Sequence, residues 1–589
     1  MRCSGSSDRS AWSRSSRSRA CGGGSPARAG TASNARTRPT RRRSIEDRAA
    51  QRKFPTSFSL HARARYASVP GQIVTPHRPS IPAEARAPRA PGRHSGAHRR
   101  FAAIAIAGVA VAGCAVGPRF IAPPPPVNAA YANVPLRPTA ATPGVPGGAS
   151  QRFVIDAAIG ARWWTRFGSP ALDRLVARAI EHNPDLGAAR AALEAAHDEE
   201  LAARGAYAPS VSAGFAASRA RQSALLAPVP NYPAVPNEFQ YDLYTPGVVV
   251  SYVPDVFGLN RRTVEIAGEQ TRAARFEVAA TYETLAANVA VAAIEEAALR
   301  AEVHATRRLV ASDRSVTRIL RLRYRQGYSS RVDLAAQQAQ AATVAATLPP
   351  LEKALAEQRD LLAALLGDPP NRRRDRLDLA ALHLPERLPV SLPSRLVEQR
   401  PDVRQAQANL HAASAAVGVA VAERFPNLIL SANVGSTALA ISDLFTGGTG
   451  FWGIGASLTA PVFEGGALRD RERAARASFR EAAEQYRSTV LTAFQNVADS
   501  LAALDQDAAG LRAAAAAERA TKRAFELTRR QRLAGYAGDV TLFGAEQTYL
   551  QARIGLIQAQ ANRYADTVAL FQALGGGWWR NADLAGEER

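Results

Sequence analysis

The chain is poor in sulfur. Of its 589 residues one is methionine, Met1, and three are cysteine. Cys3 and Cys21 fall near the start, which leaves Cys114 alone in everything that follows. A disulfide beyond that point is therefore excluded. Soft-metal sites favour sulfur ligands, so a metal-ion export role is disfavoured. His182, His197, His304, His383 and His411 are scattered without metal-ligand spacing, and neither a metal nor another cofactor is expected. Long apolar runs are missing too. Phe101–Gly113 is too short to span a bilayer, and no later stretch reaches the necessary length, so any entry into a membrane must be as a closed β-barrel. No P-loop, G-x-S-x-G or paired-carboxylate motif stands out, and the chain is not expected to be an enzyme.

What charge there is sits unevenly. The formal net charge is +23. Residues 1–100 hold 22 basic and 4 acidic side chains, a net of +18, and the other 489 residues carry the remaining +5. The leader is rich in Arg, Ser, Pro and Gly and has no apolar period. It could not bury enough surface to offset the entropy of ordering. Its composition admits a nucleic-acid-binding tail, a transit peptide or translation from a start upstream of the true one. Nucleic-acid motifs are absent and Met1 is the only methionine, so residues 1–98 are read as a disordered upstream extension, and no nucleic-acid partner is expected. Arg99–Gly113 has the layout of a secretory signal, a basic flank followed by a short apolar core. It ends in Val111-Ala112-Gly113-Cys114, a bacterial lipobox pattern that makes Cys114 the candidate acylation site. The proline-rich stretch 114–150 reads as an extended, acylated tether.

Beyond the tether the sequence repeats itself. "NPDLGAARAALEAA" from Asn183 matches "RPDVRQAQANLHAA" from Arg400, and "GYSSRVDL" from Gly327 matches "GYAGDVTL" from Gly535. Phe257 to Gly327 spans 70 residues and Phe463 to Gly535 spans 72; Gly327 to Gly367 and Gly535 to Gly575 both span 40. The first repeat is placed at 151–380, the second at 381–580, and a tail at 581–589. Arg262–Gln326 contains no proline and one glycine, as does Ala467–Ala534. Each predicts a helix of roughly 100 Å. Each ends at a G-Y turn, and a second helix of some 30–40 residues returns. Ser210–Ser218 alternates Val211, Ala213, Phe215 and Ala217 against small or polar residues, and "GFWGIGASLTAP" (Gly450–Pro461) places Trp452, Ile454 and Leu458 on one face. With "PGVVVSYVP" and "NLILSANVG" these give four strands in two hairpins, with the weak apolar-out alternation of transmembrane barrels. Four strands cannot close a conducting barrel, and rods without a core of their own need partners. Copies of the chain must therefore assemble.

The stretches "CAVGPRFIAP" (Cys114–Pro123), "WWTRFGSPALDRLVARAIEHNPDL" (Trp163–Leu186), "PDVFGLNRR" (Pro254–Arg262), "PVFEGGALRDR" (Pro461–Arg471) and "VLTAFQNVADSLAAL" (Val490–Leu504) resemble the TolC-like outer membrane efflux family, in particular its lipoprotein branch of OprM-like and NodT-like channels. The resemblance implies a homotrimer with a twelve-stranded membrane β-barrel and a twelve-helix α-helical barrel, each chain supplying four strands and long helical hairpins. It implies a lipid-anchored protein of the outer membrane whose helical tunnel lies in the periplasm. The implied function is passive conduction of small toxic compounds, with a periplasmic adaptor (membrane fusion protein) and an inner-membrane RND-type pump as partners. A type I protein-secretion channel on the same fold is the alternative. Gly327, Tyr328, Gly535 and Tyr536 then mark the adaptor-facing tip. Basic residues gather before both turns, Arg318, Arg321, Arg323 and Arg325 on one rod and Lys522, Arg523, Arg529, Arg530 and Arg532 on the other, a placement that suits helix C-termini. Asp333 and Asp539, paired with arginines such as Arg331, are the candidate gate.

Overall fold

A computed structural model describes residues 116–124, 131, 135–223, 238–372 and 375–585. The leader, the export signal and Cys114 lie outside them.

Both repeats run in the same order. In the first, α1 (Pro170–His182) and α2 (Pro184–Arg204) lead into β2 (Ser210–Ser223) and β3 (Glu238–Tyr252). The rod α3 (Leu259–Arg325) follows, then the returning α4 (Arg331–Ala346) and α5 (Leu348–Leu365). In the second, α6 (Pro393–Gln399) and α7 (Pro401–Ala422) lead into β5 (Asn427–Ser436) and β6 (Gly450–Thr459). The rod α8 (Ala467–Leu533) and the returning α9 (Asp539–Ala573) follow. Pro184 and Pro401 open α2 and α7 at the first helical position, where a missing N–H costs nothing. Both rods are 67 residues long, about 100 Å at 1.5 Å per residue. The returns differ. In the second repeat the return is one helix of 35 residues, whereas Pro349-Pro350 restarts the first at Leu348.

The four long strands form one antiparallel sheet in the order β2-β3-β5-β6. β2 runs five residues past the sequence expectation and β3 begins eight before it. Apart from Ser436, no described side chain of this sheet is buried. Phe215, Ile454 and Leu458 are 60%, 80% and 69% exposed, which in water forgoes about 1.5–3 kcal/mol of burial each. Such a sheet is stable only with something apolar against it and with partners for its edge strands β2 and β6. No helix among the described residues is long and apolar enough to cross a membrane.

The helices form an open layer. Near the sheet the order is α2-α3-α7-α8, and farther away it is α4/α5-α3-α9-α8. The main core sits between these zones, where α3 is buried nearly all round. Trp163 stacks on Phe571 at 5.3 Å, Phe276 meets Trp578 edge-on, and Leu172, Val289 and Val568 fill the space between. A parallel pair, β1 (Arg152–Ile155) and β4 (Arg387–Val390), ties the two repeats together beside it.

The described parts of the proline-rich stretch are docked against the helices. Val116 N–H donates to the Phe257 carbonyl, Arg262 to the Pro118 carbonyl, and Phe120 stacks on His411 at 4.2 Å. The His411 ring nitrogens face Glu265 and Glu269 at 2.8 and 2.9 Å. Farther along, the fully buried Gln151 donates to Thr567, and the buried Arg563 donates to Thr139.

Candidate functional site

The far ends of the rods are built alike. Gly327 and Gly535 have φ of +78° and +81°, a region that favours glycine. In the first turn Tyr328 N–H reaches the Arg323 carbonyl at 2.8 Å and Gly327 N–H the Tyr324 carbonyl at 3.0 Å; Tyr536 to Gln531 and Gly535 to Arg532 repeat this in the second. Both are Schellman caps, which satisfy the last carbonyls of each rod. The motif usually sets an apolar residue after the glycine against the helix. Here that residue is a tyrosine pointing into solvent, 81% exposed for Tyr328 and 87% for Tyr536. Val332 and Leu533 stand exposed beside them.

The two carboxylates expected at the tip have different roles. Asp333 closes a capping box. Its carboxylate accepts from Ser330 N–H at 3.1 Å and from the Ser330 hydroxyl at 2.8 Å, while Ser330 accepts from Asp333 N–H at 3.0 Å. These hydrogen bonds hold its pKa below the ordinary value. The expected pairing of Asp333 with Arg331 is not formed, because the carboxylate turns back onto its own helix start. Arg331 is exposed and makes no ion pair among the described residues of the chain. Asp539 does pair with arginines, but with others. It accepts from Arg532 Nε at 2.5 Å and lies 3.5 Å from Arg323 Nη2, and Arg532 holds its pKa down. Because Arg323 lies in the last turn of α3 and Arg532 in the last turn of α8, Asp539 fastens the first repeat's rod to the second's at the turn. The Ser330-x-x-Asp333 spacing could have disclosed the cap; nothing in the sequence discloses the link between Asp539 and Arg323.

A buried carboxyl escaped the sequence reading altogether. Glu283 lies on α3 in the aromatic core, 3% exposed. Its Oε2 accepts from the Trp163 indole at 3.3 Å, and Oε1 has no partner. Burial pushes its pKa up to about 8, with the Trp163 N–H acting in the other direction. No group of His, Cys, Asp and Glu among the described residues could hold a metal ion.

The family model described as "Outer membrane efflux protein" matches residues 175–368 and 392–576. The pyoverdine export outer membrane protein OpmQ of Pseudomonas aeruginosa is 32% identical over 71% of this chain and 87% of its own length. The antibiotic efflux pump outer membrane protein ArpC of Pseudomonas putida is 27% identical over 82% of this chain and 97% of its own. Among solved structures, the open MtrE outer membrane channel of Neisseria gonorrhoeae superposes with a TM-score of 0.66 at 26% identity, covering 79% of this chain and 99% of that one.

Proposed function

Because the chain belongs to the outer membrane efflux protein family, we propose that three copies of it form the outer-membrane duct of a tripartite exporter. The duct passively conducts small toxic compounds delivered by an inner-membrane pump of the RND class through a periplasmic adaptor. The observation that carries this reading is the run from open sheet to open helical layer. β3 ends at Tyr252 and α3 begins at Leu259, β6 ends at Thr459 and α8 begins at Ala467, so each strand hairpin feeds a rod with no intervening domain. Both sheet and layer have free edges, and threefold repetition closes each into a tube of twelve strands and twelve helices.

In this assembly the sheet spans the outer membrane, Cys114 carries acyl chains in the adjoining leaflet, and the G-Y turns face the adaptor. Tyr328 and Tyr536 supply amphipathic anchors for it. Asp539, with Arg532 and Arg323, helps to hold the tip closed, while Asp333 shapes the turn. The export of pyoverdine by one relative and of antibiotics by another fits small organic cargo. A deletion strain should become hypersensitive to at least one class among antibiotics, dyes, solvents and aromatic acids, and the gene on a plasmid should restore resistance. Unchanged susceptibility to all of them, with a protein that purifies from membranes as a monomer, would refute the reading.

A further inference from the structure

Charge changes sign along the helical layer. In the zone next to the sheet, α2, α7 and the rod segments 259–296 and 467–505 carry 13 basic and 18 acidic side chains, a net of −5. In the zone next to the turns, the rod segments 297–325 and 506–533 and the returns 331–350 and 539–560 carry 17 basic and 8 acidic, a net of +9. Pairing changes with it. Near the sheet about half of the cations sit on carboxylates, Arg204, Arg262, Arg272, Arg473 and Arg476 among them. On the distal rod segments eleven cations, running from Arg308 to Arg325 on α3 and from Arg512 to Arg530 on α8, make no ion pair among the described residues of the chain.

These cations form stripes. Arg314, Arg318, Arg321 and Arg325 recur at helical spacing on the exposed face of α3, opposite the buried Val316 and Leu320. Arg512, Arg519, Arg523 and Arg530 do the same on α8, opposite Leu511 and Ala515. Complementing the helix dipole explains only the last turn of each rod, Arg323 and Arg325 on one, Arg530 and Arg532 on the other. A partner gripping the turns would likewise need only that end. The excess extends over roughly 40 Å of rod, a length that suits a conduit wall better than a docking point.

We propose that the distal part of the duct is an anion-selective entrance that draws in small organic anions, such as carboxylates and sulfonates, and holds back cations. The proposal rests on the channel reading above. Low-dielectric walls lined by one sign of charge focus its field on the space between them, and one kT of positive potential enriches monovalent anions over cations about sevenfold. Screening lengths of about 10 Å at 0.1 M salt and about 3 Å at 1 M make the preference strongest in dilute salt.

The test is the reversal potential of the purified full-length protein in planar bilayers, first across a KCl gradient near 0.1 M and then near 1 M, with potassium benzoate as the organic-anion probe. Wild type should favour chloride over potassium severalfold in dilute salt and less in concentrated salt, and benzoate should carry current. Arg318→Glu with Arg321→Glu, or Arg523→Glu with Arg530→Glu, should cut the ratio at least severalfold. The same charge change near the sheet, Arg480→Glu with Arg487→Glu, should leave it in place. A wild-type ratio at or below one overturns the proposal while leaving the channel reading intact. So does a ratio that neither distal variant alters although both assemble like wild type, which would turn the stripes toward an acidic protein on the outside. An assembled protein that conducts nothing overturns the channel reading, and this proposal with it.

Discussion

Replacing Glu283 by glutamine should abolish a large part of the pH dependence of stability. The side chain is 3% exposed, and burial raises its pKa from 4.5 to about 8. Between those values the folded chain keeps the proton and the unfolded chain loses it. Stability is therefore complete below about pH 4.5 and falls as pH rises, until the folded carboxyl itself ionises near pH 8. At 1.36 kcal/mol per pKa unit, the full loss is on the order of 4–5 kcal/mol per chain, and about 3 kcal/mol of it is gone by pH 7. Glutamine keeps an acceptor for the Trp163 indole and cannot ionise. Melting of the helical signal by circular dichroism in detergent, from pH 5 to 8.5, should show wild type losing stability steadily and Glu283→Gln losing much less. Asp507, raised to about 7 by burial and by its neighbour Asp566, contributes a slope to both proteins, so the difference between the two curves isolates Glu283. Parallel curves would show that water or a structural shift solvates this carboxyl and that the argument from burial fails.

Three further outcomes follow from named contacts. Asp539→Ala cuts the contacts to both Arg532 and Arg323 and should raise open probability in planar bilayers, whereas Asp333→Ala removes only a helix cap and should leave conductance at the wild-type level; equal effects would place the lock elsewhere. Gly576→Ala should destabilise by about 2–4 kcal/mol, seen as a lower melting temperature, because φ is +60° and a Cβ there would overlap the Glu283 carboxylate. Mass spectrometry of the mature protein should find acylated Cys114 as its first residue, with Cys114→Ser impairing processing; peptides from residues 1–60 in the mature product would contradict this.

The long elements were legible because they break few local rules. Sixty-five residues without proline admit little but helix, and the expected rods, Arg262–Gln326 and Ala467–Ala534, end within three residues of those observed. The strands showed where alternation was clean, at β2 and β6. β3 could have been placed earlier: in Glu238–Leu243 the polar Glu238, Gln240 and Asp242 alternate with Phe239, Tyr241 and Leu243, a regular period of two that the more apolar run at Val248–Val250 overshadows. The β1–β4 pair was invisible: four-residue strands at the starts of the two repeats, Arg152 beside Arg387, carry no local signal of each other. Glu283 was invisible for the same reason. A glutamate in an alanine-rich helix reads as surface, and only the aromatic residues gathered from the turn Trp163–Phe167, from α9 and from the C-terminal turn bury it.

The tip shows what duplication preserved and what it released. The glycine, tyrosine and backbone caps are shared, since each rod has the same carbonyls to satisfy before the chain reverses. The polar positions are not. Arg331 occupies the place of Asp539, Asp333 that of Thr541, and the capping Ser330 that of Gly538. With Ser330 and Asp333 bonded to each other, the first turn is self-contained and its acid is unavailable to a neighbour. In the second, Gly538 caps nothing with its side chain, and the acid that follows it, Asp539, is free to reach across to Arg323. One turn is thus braced internally and the other is latched to the opposite rod. In the proposed channel, a force that opened the tip would meet its ionic resistance on the second repeat, at a partly exposed contact of arginines and one carboxylate, where a partner's own charges could compete for both sides.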